Sequence, residues 1–132
     1  MTLKLQVVTP TRTVVATEAD EVELPGELGY LGILPGHTPL ITVLKAGVLT
    51  YRRGADERSL AIAAGFAEIA SDAVTVLADQ AEGPAEVDVA AAERERSGAE
   101  EQLKTASPES LDEIRARLEL AEARLAIAKK GH

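Results

Sequence analysis

The sequence contains no cysteine. Disulfide frameworks, thiol nucleophiles and thiolate metal sites are thereby excluded. Aromatic residues make up only 2%, although 45% of the residues are hydrophobic, so the core must be aliphatic, built from Leu, Val, Ile and Ala. Positive charge is in deficit: 14 Lys and Arg face 22 Asp and Glu, for a net charge of −8. That balance argues against nucleic-acid binding, which wants a basic patch, and against direct attachment to an anionic membrane. No apolar run approaches the roughly 20 residues that a membrane span needs. The opening "MTLKLQVVTP" lacks the apolar core of a signal peptide. The expectation is a soluble chain that reaches a membrane only through a partner. With two histidines and no EF-hand spacing, no metal site is expected.

What is present divides in two near Gly83 and Pro84. A chain of 132 residues fits one domain or two very small ones. Before the division, apolar residues alternate: Leu3, Leu5 and Val7; Val22 and Leu24; Leu60 and Ile62; Val74 and Val76. Period two with β-branched residues predicts half-buried strands. Turn signals fall at Pro10, Pro25-Gly26, Pro35-Gly36, Gly47, Gly54, Gly65 and Ser71-Asp72, which suggests a sandwich or barrel over residues 1–84.

Residues 85–132 read as two helices. Asp88 is the expected cap of the first, which runs to about Lys104 with Val89, Ala92, Ala99 and Leu103 on one face. Ser107 with Pro108, or Ser110 with Glu113, starts the second. There Leu111, Ile114, Leu118, Ala121, Leu125 and Ala128 step by threes and fours as a heptad seam. Lys129, Lys130 and Gly131 end it. A short turn between amphipathic helices predicts an antiparallel hairpin. Leu120 and Ile127 lie off the seam, so the hairpin needs a third surface to cover them. The fold class is α+β.

Three features invite a chemical reading. His37 follows Pro35-Gly36 and suits proton transfer, but no Ser-His-Asp pattern accompanies it, and His132 is merely the last residue. A turn histidine bonded to nearby backbone is the expectation. Gly29, Gly32 and Gly36 lack the lysine and spacing of a phosphate loop; they are expected to permit positive φ and close backbone approach. In "LDEIRARLELAEAR", Asp112 with Arg115 and Glu113 with Arg117 have the spacing of a solvated helix face. No catalytic residue is expected.

"LQVVTPTRTVV", "GYLGILPGHTPLITVLKAGVL", "AGFAEIASDAVTVLADQAE" and the Ala/Glu/Arg-rich hairpin occur in that order over essentially the whole chain. Together they resemble the ε subunit of bacterial F-type ATP synthase, called δ in mitochondria. The resemblance implies a ten-stranded β-sandwich followed by the two helices. It implies a non-catalytic rotor subunit of a proton-translocating enzyme, peripheral on the cytoplasmic face of the bacterial cell membrane. The γ subunit would hold the sandwich and the c-ring would touch it, through Gly29, Tyr30, Leu31, Gly32 and His37. Family members often carry an acidic residue where Tyr30 stands.

The same resemblance implies a hairpin that docks on the sandwich or rises into the catalytic α/β head and inhibits ATP hydrolysis, with Arg115, Arg117 and Arg124 meeting acidic surface there. Some bacterial members bind ATP as a regulatory ligand. "LDEIRA" at 111–116 fits their motif, which implies Glu82, Asp88, Asp112 and Arg115 as ATP contacts. Ala91 and Glu122 stand where those members carry arginine, which implies weak phosphate capture. No cofactor is required. The alternative reading is a free-standing adaptor that binds proteins through its hairpin.

Overall fold

A computed structural model describes residues 1–131; His132 lies outside the described residues. Ten strands come first: β1 (Leu3–Val8), β2 (Thr13–Ala19), β3 (Glu21–Gly26), β4 (Gly29–Ile33), β5 (Leu40–Leu44), β6 (Gly47–Arg53), β7 (Asp56–Ile62), β8 (Gly65–Ile69), β9 (Ala73–Ala78) and β10 (Ala81–Glu82). A single 3-10 turn at Pro84–Glu86 leads to α1 (Val89–Leu103) and α2 (Leu111–Lys130). One hydrogen-bonded path runs β10-β7-β6-β3-β5-β8-β9-β1-β2, with β4 on the other side of β3. The path turns a corner at β3, which pairs with β6 near its start and with Leu44 of β5 only through Gly26. Two layers result, one around β3, β6 and β7 and one around β8, β9 and β1.

The alternating residues meet between the layers. Leu3, Leu5, Val7, Val22, Leu24, Leu60, Ile62, Val74 and Val76 all belong to one buried cluster. Each fully buried Leu, Ile or Val contributes roughly 1.5–3 kcal/mol against exposure. The alternation fails informatively in β7. Ser59, Leu60, Ala61 and Ile62 are all buried, because α2 covers the outer face that a two-layer sandwich leaves to solvent. Ala61 packs there with Ala123 and Ile127, flanked by Val48, Val87 and Leu120. The Thr50 and Ser59 hydroxyls satisfy each other at 3.3 Å on the same face.

Three expected turns are corrected. Pro25 and Gly26 are buried inside β3, and the reversal falls one step later, at Glu27 and Leu28, with Gly26 opposite Gly29. Gly47 opens β6, packed against Pro25, and is not a turn residue; Gly65 likewise opens β8. A Cβ at Gly65 would overlap the Leu77 carbonyl oxygen and approach Ala78 Cα to 2.8 Å, so its signal was close approach between strands. Pro35-Gly36 is a turn as expected: the His37 amide donates to the Leu34 carbonyl at 3.1 Å, and Gly36 has φ 91°, the left-handed position of a type II turn.

In the helical part, Asp88 caps α1 by accepting from the Ala91 amide at 3.0 Å. Gly131 closes α2 with φ 77°, its amide donating to the Ile127 carbonyl. α2 starts at the second of the two expected places, with Ser110 in the N-cap position, but without the expected side-chain cap. Neither Ser107 nor Ser110 caps it by a side chain; the Ser110 amide and hydroxyl both donate to the Ser107 carbonyl, at 3.1 and 3.2 Å. The serines are spent on a preceding turn, which competes with capping. Along the hairpin, Ala92 and Ala99 of α1 and Ile114 and Ala121 of α2 are buried. Among the described residues, no helix is long and apolar enough to cross a membrane.

Candidate functional site

The stretch from Gly29 to Leu40 forms β4 and a loop fastened at its middle, where the Gly36 amide donates to the Ser71 carbonyl at 2.6 Å. His37 Nδ1 lies 2.6 Å from the Thr38 carbonyl oxygen, the local backbone bond expected of a turn histidine. Tyr30 lies across β6, its hydroxyl accepting from the Val48 amide at 3.2 Å, while much of its ring stays exposed. Gly29 and Gly32 are exposed. Leu31 is different. It shares the inward side of β4 with Ile33 and packs against the core, so its side chain is not offered outward with Tyr30. Strand alternation separates the two.

The larger exposed apolar feature was missed by the sequence reading. Val43 of β5 stands opposite Phe66 of β8, Phe66 opposite Leu77 of β9, and Leu77 opposite Val8 of β1. These four form one row across the outer face of the second layer. Phe66 is 55% and Leu77 54% exposed, and Ile41, on the same side of β5, is 72% exposed. The row borders a shallow depression of about 550 Å³ with Pro10 and Ala64. Leu28 projects fully from the β3–β4 reversal, next to a second depression of about 400 Å³ between Tyr30 and Ile41. The available signal was β5 itself: "LITVL" is apolar on both sides of a strand only one side of which meets the core.

The hairpin makes a third feature. Where β10, the 3-10 turn, α1 and α2 converge, a cleft of about 430 Å³ is bordered by Glu82, Glu86, Asp88 and Glu95, with Arg117 and Arg124 as its cations. Arg117 donates to Glu95 at 2.7 Å and to Gln102 at 2.8 Å, both on α1. Arg124 donates to Glu82 and, at 2.9 Å, to Gln80. Of the residues expected to contact ATP, Glu82 and Asp88 border this cleft; Asp112 and Arg115 do not and lie exposed in the first turns of α2. The Glu86 carboxyl is held below its ordinary value, first by the Gly83 amide and further by Arg12, against an opposing effect of burial. Among the described residues, no group of three or more His, Cys, Asp or Glu side chains has metal-site geometry.

Comparison with known proteins gives consistent results. The family described as "ATP synthase, Delta/Epsilon chain, beta-sandwich domain" matches residues 2–84. A protein of Syntrophotalea carbinolica named "ATP synthase epsilon chain 2" is 40% identical over 98% of this chain and 95% of its own length. One of Moorella thermoacetica, named "ATP synthase epsilon chain", is 47% identical over 92% of this chain and 90% of its own. Among solved structures, a chain of the Euglena gracilis mitochondrial ATP synthase aligns with a TM-score of 0.80 at 18% identity, covering 95% of this chain and 80% of that one. A chain from the central stalk and c-ring structure of the Tetrahymena thermophila mitochondrial ATP synthase gives 0.62 at 11% identity, covering 99% and 96%. At such identities the two structures speak for the fold alone.

Proposed function

The chain belongs to the ATP synthase delta/epsilon family, and from that premise we propose that it is a non-catalytic subunit of the central stalk. Its sandwich is the mount, held by the γ subunit and resting on the c-ring at the cytoplasmic face of the bacterial membrane. Its hairpin is the moving part, restraining ATP hydrolysis when it leaves the sandwich for the catalytic head.

One observation carries this reading. A two-layer sandwich has two outer faces, and this one treats them differently. The face of β6 and β7 is covered by the chain's own α2, through Ala61, Ala123 and Ile127. The face of β5, β8, β9 and β1 is left open with Val43, Phe66, Leu77 and Val8 in one row. An open apolar row of this kind marks an interaction surface. Because the two faces are separate, the sandwich can stay bound through one while the hairpin docks on or leaves the other. We assign γ to the open row and the c-ring to the neighbouring end that carries Tyr30 and His37.

The decisive experiment compares the assembled synthase carrying the full chain with one carrying a chain ended at Val87. The truncated form should still co-purify with γ and the c-ring and should hydrolyse ATP several-fold faster. Equal hydrolysis would remove the inhibitory part of the proposal; failure of the full chain to join γ would remove the whole of it. The adaptor alternative predicts a stable partner outside the synthase. Relatives named as epsilon chains along nearly the whole length weigh against it.

A further inference from the structure

The contact between hairpin and sandwich contains few large apolar groups. Its buried members are Ala61, Ala123 and Ile127, and two of these are alanines. Something more specific must set where α2 sits. Two ion pairs cross the seam, Lys45 with Glu119 and Arg124 with Glu82. They are not equivalent. Arg124 and Glu82 are each 24% exposed, against 44% and 32% for Lys45 and Glu119. Among the described residues no other ion pair is so enclosed on both sides. Partial burial and a second acceptor, Gln80, strengthen a charge-assisted bond relative to a surface pair.

The packing aims the guanidinium. Glu82 is paired in register with Ala61 of β7, and Ala61 is the floor on which Ala123 rests. Arg124 follows Ala123. Seating the alanine therefore places the arginine beside Glu82. Arg117 differs, because its partners Glu95 and Gln102 lie on α1 and move with the hairpin. Arg115 makes no ion pair among the described residues. Of the three arginines, only the charge of Arg124 is consumed by docking.

We propose that the Arg124–Glu82 pair is an intramolecular latch: Glu82 holds the docked hairpin and withholds Arg124 from any other acidic surface. Undocking then releases the arm and unmasks its cation in one event. The latch rests on the proposed role of the hairpin only for its consequence in the assembled enzyme; as a docking device it stands on this chain alone.

The cysteine-free sequence allows a direct test. Labels on cysteines placed at exposed Arg53 and Ala126 would report the sandwich-to-α2 distance in the isolated full chain. The parent should give one short distance. Glu82→Gln and Arg124→Gln should each raise the long-distance fraction about tenfold, and the swap Glu82→Arg with Arg124→Glu should restore the short distance. Lys45→Gln should change that fraction less than about twofold. Unaltered distances in both single variants, a swap that fails to restore docking in a chain with unchanged sandwich melting, or an equal effect of Lys45→Gln would each overturn the latch. In the assembled synthase, Glu82→Gln should lower ATP hydrolysis several-fold. Opening of the isolated chain with unchanged hydrolysis would uphold the latch and overturn the inhibitory role instead.

Discussion

Arg12 and Glu86 stand 74 positions apart in sequence, and the Arg12 guanidinium donates to the Glu86 carboxylate at 2.6 Å. The same nitrogen reaches the Ala81 carbonyl at 3.3 Å, and Glu86 accepts from the Gly83 amide at 3.0 Å. The loop between the first two strands thus clasps the turn that leads to the hairpin. A hairpin that leaves the sandwich would pivot beyond Glu86, at Val87 and Asp88, rather than at Pro84.

This clasp should depend on pH with a definite sign. The Glu86 carboxyl is depressed in the folded state, so its contribution is present above the unfolded value and is lost as pH falls through the folded one. Both side chains are nearly half exposed, so the contribution is small and screened by salt. Carbon-13 NMR of the side-chain carboxyls should show Glu86 titrating below the ordinary glutamate range. Arg12→Ala should move that midpoint upward. A Glu86 midpoint unaffected by loss of Arg12 would remove the guanidinium as a cause.

Two glycines that look alike in sequence should respond differently. Gly65→Ala forces a methyl into the β9 backbone and should cost about 3 kcal/mol of sandwich stability. Gly32 has no atom closer than 4.0 Å to an added Cβ and no positive φ; Gly32→Ala should stay within about 0.5 kcal/mol. Urea unfolding of both variants decides the matter, and equal midpoints would refute the distinction.

Phe66 is the centre of the open row, and its ring is not needed by the core. Phe66→Asp should leave the melting transition within about 0.5 kcal/mol of the parent while weakening capture by γ about tenfold or more. Retained γ binding at parental strength would move the stalk contact elsewhere on the sandwich.

Ile127 and Leu24 are both fully buried, yet they belong to different units. Leu24→Ala should lower global stability by about 2–5 kcal/mol. Ile127→Ala removes the largest buried side chain of the α2 contact, and should detach the hairpin with little change in the sandwich transition. Hydrogen exchange at β6 and β7 amides, compared with those of β1 and β9, would separate the two outcomes. Uniform loss of protection in both variants would mean that the lobes unfold as one.

ATP should bind poorly to the docked form. The cleft bordered by Glu82 and Asp88 has four carboxylates, and its two arginines are already bonded to Glu95 and Glu82. A triphosphate would have to break both pairs against that negative lining. Calorimetry should give no saturable heat below millimolar nucleotide; a micromolar affinity would contradict this picture.

Much of the architecture was readable from residue order. Leu3, Leu5 and Val7, like Val74 and Val76, point inward because only one side of their strands meets the core, and that condition is written as period two. The Asp88 cap and the Gly131 stop were equally plain, since each is a local bond between neighbours. What could not be read depended on distant contacts. Ser59 and Ala61 are buried by a helix some 60 residues later in the chain, so period two fails there without any local cause. The row of Val43, Phe66, Leu77 and Val8 exists only once four strands are in register. Asp112 and Arg115 looked like partners of Glu82 and Asp88 by motif, but helix geometry carries them to the far end of α2.

The placement of β1 also constrains how the molecule comes into being. It lies between β2, its antiparallel neighbour a few residues away, and β9, with which it runs parallel and pairs Lys4 to Ala73. During synthesis the first two strands can join at once, but their inner flank has no mate until Leu77 has emerged. Parallel pairing over so long a separation is slow to form, and an unmatched strand flank invites association with other chains. The nascent polypeptide therefore carries a sticky margin until β9 has been made, and its sandwich can close only after that.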